Sequence, residues 1–112
     1  MKATAMIFRL SFLVALVIGL GGLFHFLPMT RTMVEVHIVV GLMMLVSIAW
    51  LAWETKSAAL GVAAVILMAA GALPLVSPAD PLTVRLVHLV MIIVAVAVAE
   101  MGLGQATRHR LS

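Results

Sequence analysis

Four long apolar segments, separated by three short polar connectors, make up most of the chain. The segments cover roughly residues 10–27, 33–53, 58–76 and 82–103. The hydrocarbon core of a bilayer is about 30 Å thick, and a helix needs about 20 apolar residues to cross it. Apolar and polar positions do not alternate along the segments, so they do not resemble the strands of a membrane barrel. Each segment therefore predicts one transmembrane helix.

Three short connectors join the segments, and they read PMTRT, ETKSA and SPADP. Their prolines, serines and threonines are typical of turns and helix ends. Connectors this short place consecutive helices side by side in opposite directions. The sequence thus predicts an all-α fold: an antiparallel bundle of four transmembrane helices in a single integral membrane domain, residues 1–112.

The composition agrees with a membrane protein and removes several kinds of chemistry. Hydrophobic residues make up 65% of the chain and charged residues 10%, whereas soluble domains average about 45–50% and about 25%. The absence of cysteine excludes disulfides, thiolate metal sites and cysteine nucleophiles. No phosphate-binding loop and no hydrolase or transferase constellation stands out, so no catalytic residue is predicted.

The positive charges lie at the ends of the apolar segments rather than in one patch. The net charge of +3 is therefore a topology signal, and no nucleic-acid partner is predicted. One side of the membrane receives Lys2, Arg9, Lys56, Arg108 and Arg110, and the other receives Arg31 and Arg85. Because the positive side faces the cytoplasm, both termini are predicted there, in a bacterial inner membrane. Residues 10–27 could alternatively be a signal peptide, although no small-residue cleavage site follows them.

Three of the four histidines fall near the predicted outer ends of three helices. His25 lies near the end of the first helix, His37 near the start of the second and His88 near the start of the fourth, so we predict one histidine layer toward the outer side. His109 belongs to the charged tail. Imidazoles that face each other from different helices are the usual axial ligands of a haem iron inside a bundle.

A haem site can be assembled from these residues. His37 and His88 are the first choice for the pair of iron ligands, and His25 with either of them is the second. Arg85 precedes His88 by one turn, and Arg31 lies in the connector before His37, so either guanidinium could meet a propionate.

Glycines near the histidines offer room to a flat macrocycle. Gly41 follows His37 by four residues and lies on the same helix face. Gly21 and Gly22 precede His25 and offer room on the first helix.

The segments HIVVG and RLVHLV resemble the membrane-embedded b-type cytochromes, in which a histidine followed four residues later by glycine pairs with a histidine on another helix. The likeness covers the second and fourth helices. It implies one haem b, an iron-binding bis-histidine site and single-electron transfer, by the chain alone or as a subunit of a respiratory complex. A quinone would be a candidate partner beside the lipid bilayer.

Other functions remain open at this stage. Histidines near helix ends can be plain interfacial side chains, which suits a cofactor-free accessory subunit of a larger membrane complex. A small transporter is a further alternative, and it predicts a polar cavity around Glu100. Small multidrug transporters of this size carry a carboxylate at the centre of the first helix, and the first helix of this chain has none. Met29 and Met33 have the spacing of a copper(I) site, but most of the nine methionines lie within apolar segments, where they suit packing.

Overall fold

The computed structural model describes residues 2–111, with side chains from residue 2 to residue 108. It contains four helices: α1 (Lys2–Leu23), α2 (Arg31–Thr55), α3 (Ala58–Val76) and α4 (Pro81–Leu111). All four are long and apolar enough to cross a membrane. The prediction of an all-α protein with four transmembrane helices is therefore confirmed. The side chains of His109 and Arg110 lie outside the described part of the chain.

Large apolar side chains are exposed along every helix. Examples are Val17, Val46, Val65 and Met101, one from each helix in order. Apolar surface of this extent is unfavourable in water. It is compatible with helices whose outer faces contact the hydrocarbon of a lipid bilayer.

The observed helix bounds match the prediction for α3 and differ for the other three helices. α3 covers residues 58–76, as predicted. α2 and α4 extend beyond the predicted ranges 33–53 and 82–103. Helical hydrogen bonding continues into the polar residues at their ends, whereas hydropathy marks only the part that suits hydrocarbon. α1 begins at Lys2 and ends at Leu23, rather than covering residues 10–27.

α1 ends in a capping turn centred on a histidine. His25 has a φ of 61°, in the left-handed region. The backbone N–H of Phe26 donates to the carbonyl of Gly21 at 2.8 Å, and that of His25 donates to the carbonyl of Gly22 at 3.4 Å. This hydrogen-bond pattern is the Schellman motif, in which a left-handed residue stops the helix and the next N–H groups satisfy its last carbonyls. The helix therefore ends four residues earlier than the apolar pattern predicts.

The chain divides into two compact units, Met1–Ser47 and Ile48–Ser112. In the first unit the connector after α1 folds back, so that Leu27 lies on Gly21 and Met29 lies on Gly22. The chain then enters α2, where the Thr30 hydroxyl accepts a hydrogen bond from the N–H of Met33 at 3.3 Å. A threonine in this position satisfies one of the free N–H groups at a helix start.

In the second unit α3 and α4 form a close-packed antiparallel hairpin. A Cβ placed on Gly102 would lie 3.0 Å from Leu60 Cγ and 3.2 Å from the Leu60 backbone nitrogen, so the two backbones approach closely. Small residues at an interface allow this approach between membrane helices. The fully buried alanines of the pair are Ala63 and Ala70 on α3, with Ala95 and Ala99 on α4.

Side-chain caps define the starts of α3 and α4. The Ser57 hydroxyl accepts a hydrogen bond from the N–H of Leu60 at 3.3 Å at the start of α3. The Asp80 carboxylate accepts one from the N–H of Thr83 at 3.2 Å at the start of α4. In both caps a side-chain oxygen accepts from a backbone N–H group that has no partner within the helix. Each of the two helices therefore begins at a defined residue.

The end of α2 carries the two tryptophans of the chain. Lys56 follows the helix with a φ of 57°, and its ammonium lies 4.1 Å from the centre of the Trp53 ring. Trp50 and Trp53 are both exposed. A tryptophan beside a lysine at the end of a membrane helix is typical of the bilayer interface.

Candidate functional site

His88 is held by a hydrogen bond between helices. It lies seven residues into α4, about 10 Å along the helix axis from its start. The side chain is half-buried. Its Nδ1 atom lies 2.6 Å from the backbone carbonyl oxygen of Ala70 on α3, and Ala70 is completely buried. The imidazole is therefore anchored to the neighbouring helix of its own unit.

Pro74 explains why this carbonyl needs a donor. It lies inside α3, four residues after Ala70. In a regular helix the N–H of residue 74 would donate to the carbonyl of residue 70, and proline has no N–H. An unsatisfied carbonyl at membrane depth is unfavourable because hydrocarbon offers no donor. His88 supplies the missing donor from α4.

The hydrogen bond also defines which ring nitrogen carries the proton. A carbonyl oxygen only accepts, so Nδ1 of His88 must carry the hydrogen. The lone pair of the neutral ring is then on Nε2. Metal-binding histidines commonly have this arrangement, in which one nitrogen donates to a carbonyl and the other is the ligand atom. A neutral His88 ring would therefore have the same protonation pattern as such ligands.

His37 lies against a glycine of α1. It is six residues into α2, about 9 Å along the helix axis, and its side chain is half-buried. A Cβ placed on Gly19 would lie 3.5 Å from His37 Cε1. That distance is an ordinary van der Waals contact, so the His37 ring packs beside Gly19 of α1 in the first unit.

Gly41 faces open space. A Cβ placed there would meet no atom of the described residues within 4 Å. This geometry is compatible with the prediction that a flat group lies beside Gly41, which stays a prediction.

His25 occupies a different setting from the one we expected. It lies two residues beyond α1 rather than within the end of that helix, and its side chain is exposed. The rings of Phe24 and Phe26 flank it, with centroids 6.3 Å apart. The left-handed backbone conformation of His25 stops α1.

The expected room beside Gly21 and Gly22 is absent. A Cβ on Gly21 would lie 2.5 Å from Leu27 Cδ1, and one on Gly22 would lie 2.6 Å from the sulfur of Met29. The connector of the same chain fills the space predicted for a macrocycle, so that expectation was wrong. The contact also gives Met29 a packing role in the first unit.

The two arginines differ in their surroundings. Arg31 Nε donates to Glu35 Oε1 at 3.2 Å, and the two side chains are 94% and 62% exposed. Arg85 is exposed and lies one turn before His88 on α4. Contact of either guanidinium with a propionate stays a prediction, and Arg31 already has a carboxylate partner.

The three candidate histidines are divided between the two units, and their joint use as a site stays a prediction. His25 and His37 belong to the first unit and His88 to the second. The side chains of residues 2–108 form no group of three or more histidines and carboxylates able to hold a metal ion. A bis-histidine haem site needs only two protein ligands.

Three residues around the histidines were missed by the sequence reasoning: Gly19, Ala70 and Pro74. Of these, Pro74 could have been noticed, because a proline within an apolar segment always leaves the carbonyl four residues earlier without its helical donor.

The chain matches no protein-family model, no curated protein and no solved structure.

Proposed function

We propose that the chain is a small integral membrane haem b protein that carries out single-electron transfer. The observation that carries the proposal is the bond from His88 Nδ1 to the Ala70 carbonyl at 2.6 Å. It orients the imidazole at membrane depth and requires a hydrogen on Nδ1, so in a neutral ring the lone pair is on Nε2. Ionisable residues inside membrane segments are costly and usually functional.

His37 and His88 would hold the haem iron. Haem b supplies a one-electron change at its iron, which protein side chains lack. The protein's part is to hold the imidazoles, exclude water and offset the propionate charges. The His37 ring packs beside Gly19 of α1. Arg85 lies one turn from His88 toward the start of α4 and would bind a propionate through its guanidinium.

The proposed location is a bacterial inner membrane with both termini in the cytoplasm. The exposed Trp53 and its Lys56 partner support an interfacial position for that end of α2. In the second unit the Gly102 contact brings the start of α3 and the later turns of α4 to the same end, so Lys56 and Arg108 belong to one side. Arg31 and Arg85 would then face outward, together with the histidines.

Electron exchange requires partners, and two kinds suit a membrane protein of this size. One is a membrane quinone, which would reach the protein through the bilayer. The other is a larger respiratory complex, which would cover part of the exposed apolar surface. Both are compatible with a chain whose large apolar side chains face outward on every helix.

The test is an absorption spectrum of the detergent-purified protein, oxidised and reduced with dithionite, after expression with ample haem. We expect a sharp Soret band and a reduced α-band of a low-spin b haem. His37→Ala and His88→Ala should each abolish the spectrum, whereas His25→Ala should keep it. A folded, colourless protein that takes up no added hemin would refute the proposal.

A second candidate is a cofactor-free accessory subunit, and the same hydrogen bond favours it. His88 donates to a carbonyl that Pro74 leaves open, which is a sufficient structural reason for a histidine. The two functions predict different results when His88→Ala is made in the Pro74→Ala variant, in which residue 74 has its own N–H. If His88 serves the carbonyl alone, His88→Ala should then cost little stability and change no spectrum. If it binds iron, His88→Ala should still remove the haem.

A further inference from the structure

We infer that Pro74 is a positioning residue for His88: by leaving the Ala70 carbonyl open, it selects the Nδ1-protonated form of the ring, in which the lone pair is on Nε2. The effect on ring protonation stands by itself. Its consequence for a haem ligand rests on the proposed function. Pro74 acts only through Ala70 and His88 and would not touch the cofactor.

The packing of α3 on α4 brings donor and acceptor together. Gly102 contacts Leu60 near one end of the hairpin, and His88 contacts Ala70 nearer the other. Ala70 is completely buried, so its carbonyl has no water to replace a lost helical donor. Small side chains set the register of the two helices, and this register places His88 opposite that carbonyl.

The choice of ring form follows from competition for one acceptor. A carbonyl oxygen has two lone pairs, so it can accept from a backbone N–H and an imidazole together. With an alanine at 74, the new N–H would share the Ala70 oxygen and weaken the bond to His88. A net hydrogen bond in a protein corresponds to an equilibrium shift of about two- to tenfold. The ratio of the Nδ1-protonated to the Nε2-protonated ring should fall by up to that factor.

The experiment is nitrogen-15 NMR of the haem-free protein, labelled at histidine, in detergent micelles at a pH where the rings are neutral. Long-range correlations distinguish the protonated ring nitrogen from the one with the lone pair. His88→Gln identifies the His88 signals by their disappearance. The matched control is Pro78→Ala, because Pro78 lies in the connector after α3 and not inside the helix.

In the wild type and in Pro78→Ala we expect His88 to be protonated mainly at Nδ1. Pro74→Ala should move the ratio of the two ring forms about two- to tenfold toward Nε2 protonation. Predominant Nε2 protonation in the wild type would overturn the inference without any variant. An unchanged ratio in Pro74→Ala, with helix content equal to that of the wild type by circular dichroism, would overturn it as well.

Hemin titration extends the test to the ligand. Removing a partner that orients a metal ligand typically lowers affinity about 10- to 100-fold, so Pro74→Ala should bind hemin more weakly than Pro78→Ala. Equal affinities would overturn the positioning role. A wild-type protein that binds no hemin would refute the proposed function, whereas the NMR result would still decide whether Pro74 selects the ring form.

Discussion

Replacing Gly102 by alanine tests the close approach of α3 and α4. The new Cβ would lie 3.0 Å from Leu60 Cγ, 3.1 Å from Ala59 Cβ and 3.2 Å from the Leu60 backbone nitrogen. Carbon atoms in favourable contact are about 3.5–4.0 Å apart. The Leu60 side chain can rotate, but a backbone nitrogen and the Cβ of Ala59 cannot. The helices must therefore separate by several tenths of an ångström.

Two opposing effects set the magnitude. Alanine is favoured over glycine in a helix by about 0.5–1 kcal/mol, and overpacking a tight contact costs about 1–3 kcal/mol. Gly61→Ala on α3 is the matched control, because a Cβ there meets no atom of the described residues within 4 Å. The preference for alanine over glycine in a helix applies equally to both variants. Gly102→Ala should therefore be less stable than Gly61→Ala by about 1–3 kcal/mol.

The assay is reversible unfolding in mixed micelles with increasing sodium dodecyl sulfate, followed by far-ultraviolet circular dichroism. The free energies of unfolding of the two variants are compared at one detergent composition. Equal stabilisation by both substitutions, within about 0.3–0.5 kcal/mol, would show that α3 and α4 are not in the described contact at Gly102.

Two further substitutions test local features of the first unit. His25→Gly should stabilise the protein by about 0.5–1 kcal/mol in the same unfolding assay. Glycine adopts the φ of 61° without strain, which relieves about 1–2 kcal/mol, and its extra freedom in the unfolded chain offsets about 0.5–1 kcal/mol of that gain. Lower stability would contradict the capping role. Arg31→Ala removes an exposed ion pair with Glu35 and should change stability by less than about 0.5 kcal/mol. A loss above about 1 kcal/mol that persists in high salt would show that Arg31 does more than pair with Glu35.

The number and type of the helices were predictable because hydropathy alone decides which segments can cross hydrocarbon. The end of α1 was not. The apolar pattern runs through Phe26 and Leu27 to a proline, and nothing in it marks His25 as a left-handed residue. Glycine is the usual residue at that position. The two glycines of this region instead make room for Leu27 and Met29.

The candidate site was predictable only in part. The position of a histidine along its helix follows from counting residues, so His37 and His88 could be placed near helix starts. The partner of His88 depends on the register of α4 against α3, which Gly102 and the buried alanines determine in three dimensions. The contact between Gly19 and His37 likewise depends on the way the chain folds back after α1. Sequence spacing within one helix contains neither piece of information.

The placement of both tryptophans at the end of α2 makes the protein its own optical probe. The chain has two tryptophans and no tyrosine, so its near-ultraviolet emission comes from Trp50 and Trp53. Both side chains are exposed, at 59% and 72%, so both are within reach of quenchers dissolved in the surrounding phase. Lipids brominated at graded positions along the acyl chain would therefore report the depth of this single helix end, with no label attached.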